Sequence, residues 1–171
     1  MLDLRQRERL RRTYRPERVR LLFIGESPPA SGRFFYRGDS GLYRAMREAF
    51  QAVDPSITDA TFLGTFQASG HYLIDLCLEP VDRLDAKSRR AECRRGEESL
   101  SKAIGQLRPA IIVTIVRSIE RNVLTAVSAA NWRGAMIHLP YPGRWLHHKN
   151  AFLDNIAPII RLKTSDPVQP F

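Results

Sequence analysis

The sequence is poor in cysteine, lysine and uninterrupted apolar stretches, and each shortage removes a class of protein. Two cysteines, Cys77 and Cys93, among 171 residues cannot build a disulfide framework or a four-thiolate metal site. No apolar run approaches the roughly 20 residues of a membrane span. The opening segment, MLDLRQRERLRRTYRPERVR, lacks the apolar stretch and cleavage site of a secretory signal, so a cytoplasmic protein without a membrane partner is expected. Only 10 Gly and 11 Pro, against 43% hydrophobic and 26% charged residues, exclude a fibrous or disordered chain. The phosphate-binding loops GxxxxGKS/T and GxGxxG are absent. Ser27 has no GxSxG surroundings, and His147 and His148, adjacent in the chain, have no carboxylate–histidine spacing beside them. Neither a Ser–His–Asp nucleophile, nor a metal, nor any other cofactor is expected.

Arginine, by contrast, is abundant: 23 Arg against 4 Lys, in a chain of net charge +9. Residues 1–20 hold eight arginines against Asp3, Glu8 and Glu17, a net of +5, and the other 151 residues supply only +4. A basic N-terminal arm or helix over residues 1–18 suits a polyanionic partner, DNA in single- or double-stranded form. The competing reading is a solvated arginine-rich helix. Oligomeric state is not legible in one chain.

The rest reads as a single domain over residues 19–163 with a short tail over 164–171. A helix is predicted over residues 3–13, ended by Arg15-Pro16, because the residue before proline avoids the helical region. Apolar runs at 19–24, 71–76, 110–116 and 135–139 read as buried strands. Between and after them, helical spacing appears over 41–53, 86–107, 117–129 and 146–160, with Ser40 and Asp85 as natural caps. Strands alternating with helices predict an α/β sandwich on a mostly parallel sheet, with ligands bound beyond the carboxyl ends of the strands. Those ends are Gly25-Glu26-Ser27-Pro28, Asp75 to Leu78, Val116-Arg117 and Leu139 to Pro142.

Taken in order, these ends carry a recognisable pattern. Gly25-Glu26-Ser27-Pro28 is similar to the GExPG motif of one branch of the uracil-DNA glycosylase superfamily. Tyr36-Arg37-Gly38-Asp39-Ser40-Gly41-Leu42 resembles that branch's FVGxxGxLL segment. Leu73 to Pro80 resembles its NVVKCRPP strand end, and Cys93 through LRPAIIVTI follows the order of its CxxxLxxxIxxLxPxxIVxLG stretch. Leu139-Pro140-Tyr141-Pro142 stands where the family has an HPS motif. The resemblance covers residues 20 to 160.

The resemblance implies a three-layer α/β/α sandwich around a four-stranded parallel sheet. It also implies a DNA base-excision glycosylase that flips a modified or mismatched base and hydrolyses its N-glycosidic bond. Under that resemblance Glu26 or Ser27 positions the attacking water. Gly25, Tyr36 (with Phe35 as the fallback) and Asp75 bind the base. Pro140, Tyr141, Pro142, Arg144 and His147 contact DNA, with Trp145 or Leu146 as the wedge. Phe34, Phe35 and Tyr36 are equally compatible with core packing.

Three departures stand out. The motif histidine is replaced by Leu139, with His138, His147 and His148 the nearest imidazoles. The four cysteines of the iron–sulfur branch are reduced to two, so no cluster is expected. Asp75 replaces a base-reading asparagine, and an ionised aspartate only accepts hydrogen bonds. It suits an amino group, as on cytosine N4 or adenine N6, and repels uracil O4. The alternative is a nucleic-acid-binding protein of the same fold that no longer cleaves; a weaker reading is a hydrolase of free nucleosides or nucleotides.

Overall fold

A computed structural model describes residues 2–142 and 146–161, without the side chain of Leu146. The four apolar runs form β1 (Leu21–Gly25), β2 (His71–Asp75), β3 (Ile111–Thr114) and β4 (Ala135–His138). They pair in the order β2-β1-β3-β4, all parallel. Every residue of β1 and β3 is buried, as expected for strands covered on both faces. The edge strand β4 is only half-buried and its last residue, His138, is exposed.

Helices α2 (Gly41–Val53), α3 (Asp59–Ala68), α4 (Ala86–Leu107), α5 (Glu120–Ala129) and α6 (Leu146–Arg161) complete the sandwich. From β1 the chain steps to β2 on one side. It then crosses back over β1 to β3 and continues to β4. Right-handed crossovers taken in opposite directions must leave their helices on opposite faces. Accordingly α2 packs on α3 and α6, while α4 packs on α5. The result is the three-layer α/β/α sandwich expected from the alternation of runs. Among the described residues, no helix is long and apolar enough to cross a membrane.

One element differs from the sequence reading. Helix α3 was not expected, because Gly64 and three threonines (Thr58, Thr61, Thr65) dilute its apolar spacing. It forms through a reciprocal capping box between Thr58 and Thr61, and it buries Phe62 and Phe66. The basic segment forms the helix predicted over residues 3–13 as α1 (Leu4–Thr13), opened by a capping box between Asp3 and Gln6, and it is docked on the domain. Arg7 and Arg11, one turn apart, are buried against the sheet side, whereas Arg5, Arg9, Arg12 and Arg15 face solvent. The predicted tail over 164–171 lies outside the described residues.

Candidate active site

The sheet register gathers the strand ends into one row. Gly25 of β1 aligns with Asp75 of β2, and Ile24 with Thr114 of β3, which aligns with His138 of β4. Chain direction diverges at β1, so a crevice opens there, between β1 and β3. It is a cleft of about 360 Å³ lined by Gly25 to Pro29, Phe34, Phe35, Leu73, Asp75, Ile115, Val116 and Tyr141, with Asp82 and Arg89 at its edge. Its floor is rigidly tied. Beyond the strands, Leu76 N–H donates to Gly25 O (2.9 Å) and Cys77 N–H to Glu26 O (2.8 Å). Ser27 Oγ accepts from Val81 N–H (3.3 Å), and Ala30 N–H donates to the Asp82 carboxylate (3.0 Å). Ser27 therefore lines the cleft while its hydroxyl joins two loops, and the O–H proton remains available as a donor.

Glu26 meets a partner that the sequence did not suggest. Arg89 of α4 grips the carboxylate with both ends of its fork: Nε donates to Oε1 (2.7 Å) and Nη2 to Oε2. The side chains are 11% exposed for Glu26 and 40% for Arg89. That hydrogen bond carries the guanidinium above its ordinary pKa. Cys93 Sγ lies 3.9 Å from Glu26 Oε1 and 3.7 Å from Cys77 Sγ. Burial pushes both thiols upward in pKa, so the pair is protonated and unreactive at neutral pH. Gly96 lets α4 come this close, because a Cβ there would sit 2.2 Å from Leu76 O.

Asp75 is the deeper carboxylate. Its Oδ2 accepts from Arg11 Nη2 of α1 at 2.9 Å, with the two side chains 8% and 6% exposed. Burial pushes the carboxyl above its usual pKa, and Arg11 is the largest opposing influence. Gly25 makes room for this side chain, since a Cβ at that position would lie 2.8 Å from Asp75 Oδ1.

The aromatic wall differs from the expectation. Tyr36 does not line the cleft: it is fully buried, stacks on Tyr14 with ring centres 5.6 Å apart, and serves the edge of β2. Its hydroxyl donates to Leu73 O (3.0 Å) and accepts from Leu73 N–H (2.7 Å), replacing the missing neighbour strand. Phe34 and Phe35 reach the cleft instead. In the three-residue turn of 3-10 helix, Phe35–Arg37, a one-residue step swings a side chain by about a third of a turn. Tyr141 adds a ring at the mouth and is 49% exposed.

At the far side, Leu139 is buried and its N–H donates to Thr114 O (2.8 Å), so this position offers only an apolar side chain. His138 turns away from the cleft, with Nδ1 on Thr114 Oγ1 and Nε2 3.4 Å from Glu120. His147 and His148 are exposed, with ring centres 4.1 Å apart and planes tilted by 41°, and do not line the cleft. Pro140 and Pro142 are half-buried beside Tyr141. Arg144, Trp145 and the side chain of Leu146 lie outside the described residues. No trio of His, Cys, Asp or Glu among the described residues is gathered to hold a metal ion.

Behind Glu26 and Arg89 a second hollow of about 860 Å³ runs between α4 and α5. Arg90, Arg94 and Arg121 line it without an ion-pair partner among the described residues, while Glu97 accepts from Asn122 (2.6 Å). Sequence reasoning missed Arg11, Arg89 and this groove. The only signal was α4's run of arginines, which spacing alone assigns to a solvated face. Compared with known proteins, the chain matches no protein-family model and no curated protein.

Proposed function

We propose that this chain is a uracil-DNA glycosylase-like protein that takes a flipped, modified or mismatched base into the 360 Å³ cleft and hydrolyses its N-glycosidic bond. The observation that carries the reading is the convergence of two carboxylates, Glu26 and Asp75, with the Phe34–Phe35 wall at the switch point of a parallel sheet. A pocket of this size and mixed lining fits a small planar ligand, and a flipped base needs an aromatic face together with polar groups for its edge.

In the proposed reaction, water attacks the sugar C1′ and the C1′–N bond breaks. The departing base takes the bonding electrons and is then protonated. Positive charge grows on the sugar, where Glu26 opposes it and accepts the water's proton. Arg89 occupies both oxygens of Glu26 before substrate arrives. A DNA phosphate entering the groove of Arg90, Arg94 and Arg121 competes for that half-exposed guanidinium and releases the carboxylate. Asp75, as an acceptor, selects bases that present an amino group. The protein acts on DNA in the cytoplasm, in base-excision repair.

A second reading, a nucleic-acid-binding protein without catalysis, is favoured by Leu139, which supplies no donor to the leaving base. Single-turnover base release separates the two, using single- and double-stranded oligonucleotides carrying uracil, hypoxanthine, xanthine, cytosine or common lesions. Release from one substrate that falls 10²-fold or more in Glu26→Ala is expected. Salt-sensitive binding without release selects the second reading, and activity confined to free nucleosides removes DNA from both.

A further inference from the structure

We propose that Arg11 makes the N-terminal helix part of the ligand-reading site: by holding Asp75 as a carboxylate it sets the cleft to accept the exocyclic amino group of a base and to reject a carbonyl edge. The proposal rests on the cleft being a base site. It begins from an unequal use of two oxygens. Asp75 Oδ2 is taken by Arg11, whereas Oδ1 has no hydrogen-bond partner among the described residues and lies against Gly25 on the cleft lining. Oδ1 is not among the buried polar atoms that lack a partner, so it is the oxygen of the pair open to a donor arriving from the cleft.

Arg11 is more than a clamp for α1. The helix is docked by other means: Arg7 donates to Leu78 O (2.9 Å) and to Glu79 Oε2 (2.7 Å), and Tyr14 stacks on Tyr36. Arg11 is turned further inward. Its guanidinium bonds Glu8 and Asp75, and its centre lies 5.7 Å from the ring centre of Phe34, a residue of the cleft wall. One side chain thus fixes both the carboxylate and the ring that a bound base would meet.

Charge sets the sign of the preference. An ionised carboxylate accepts only, so a carbonyl placed against Oδ1 is repelled and an amino group is bound. A protonated Asp75 would donate and reverse that preference. The groups that bias the choice are Arg11 and Arg7, which favour the ionised form, and Glu8, which opposes it, all on α1. The Tyr36 hydroxyl also faces the pair, but burial pushes its pKa well above the ordinary tyrosine value and it stays neutral. Without Arg11 the largest influence opposing burial is lost, and the carboxyl shifts further toward its protonated form.

The test measures dissociation constants of free cytosine, adenine and uracil for the wild type, Arg11→Gln and Arg11→Lys between pH 5.5 and 8. The wild type is expected to prefer an amino-bearing base at least tenfold across the range, and Arg11→Lys to retain that preference. Arg11→Gln is expected to lose it at the acid end of that range and recover it as pH rises. Arg11→Gln with lower affinity for every base but an unchanged preference would make Arg11 a structural clamp and overturn the inference, leaving the base site standing. A wild type that binds no base overturns the base site and the inference together. Should Arg11→Gln fail to fold, a carboxyl ¹³C titration of Asp75 in the wild type decides: proton uptake anywhere between pH 5.5 and 8 overturns the inference, and a carboxylate throughout supports it.

Discussion

The two sides of the cleft floor are built from different chemistry. On the β1–β2 side stand Glu26 and Asp75, each held by an arginine from a different helix, Arg89 and Arg11. On the β3–β4 side stand Ile115 and Val116, Leu139 is buried in the core outside the lining, and the one imidazole of that edge, His138, is turned to Thr114 and Glu120. All four strands run parallel, so the asymmetry comes from the helices packed at each side. Only the β1–β2 side receives α1 and the first turns of α4, and with them the cations that make buried carboxylates tolerable. Specificity and charge therefore sit on one side of the cleft, and apolar packing on the other.

The two ion pairs themselves differ in depth, and variants sharpen that difference. Asp75→Ala leaves the buried Arg11 with Glu8 as its remaining carboxylate, so the loss should approach the lower end of the about 3–5 kcal/mol that breaking a buried pair costs. Chemical denaturation should read a loss of that size. His71, at the opposite end of β2, gives the next largest effect. It is packed among Phe23, Phe50 and Phe66, its Nδ1 has no partner, and burial, helped by Arg20, depresses its pKa to about 3. The unfolded chain binds a proton near pH 6.5 that the folded state refuses. This contribution to stability is complete above that pH and is lost as pH falls toward 3. The loss is roughly 2 kcal/mol between pH 6.5 and 5, by the usual 1.4 kcal/mol per unit. The difference in unfolding free energy between the wild type and His71→Leu, followed with pH, isolates it.

Gly25→Ala places a methyl against Asp75 Oδ1 and should cost about 1–3 kcal/mol, with loss of whatever the cleft binds. Glu26→Ala leaves Arg89 half-exposed and able to find water, so it should cost about 1 kcal/mol or less in stability while removing base release. Equal costs for Asp75→Ala and Glu26→Ala would erase the distinction between the two pairs.

Much of the fold was legible because its signals are local. Apolar runs ended by Gly25 and Asp75, and helices stopped at Asp54-Pro55 and Arg108-Pro109, mark themselves within a few residues. Helix α3 was illegible because its capping threonines and Gly64 resemble loop chemistry until Phe62 and Phe66 find the core. The site was half legible. Glu26 and Asp75 stand at strand ends, where the topology directs attention, but their partners lie 63 and 64 residues away in sequence. Nothing local in α1 distinguishes Arg11, which pairs inside, from Arg12, which faces solvent. Tyr36 was misplaced by one residue, because a 3-10 turn sends Phe35 to the cleft and Tyr36 to the strand edge.

The most direct test of the central claim is an amide chemical-shift map of the ¹⁵N-labelled protein titrated with cytosine and, separately, with uracil. Shifts concentrated at Gly25, Glu26, Phe35 and Asp75, larger for cytosine and weak along β4, are the predicted result. Shifts confined to the α4–α5 groove or the exposed face of α1, or none with either base, would contradict it.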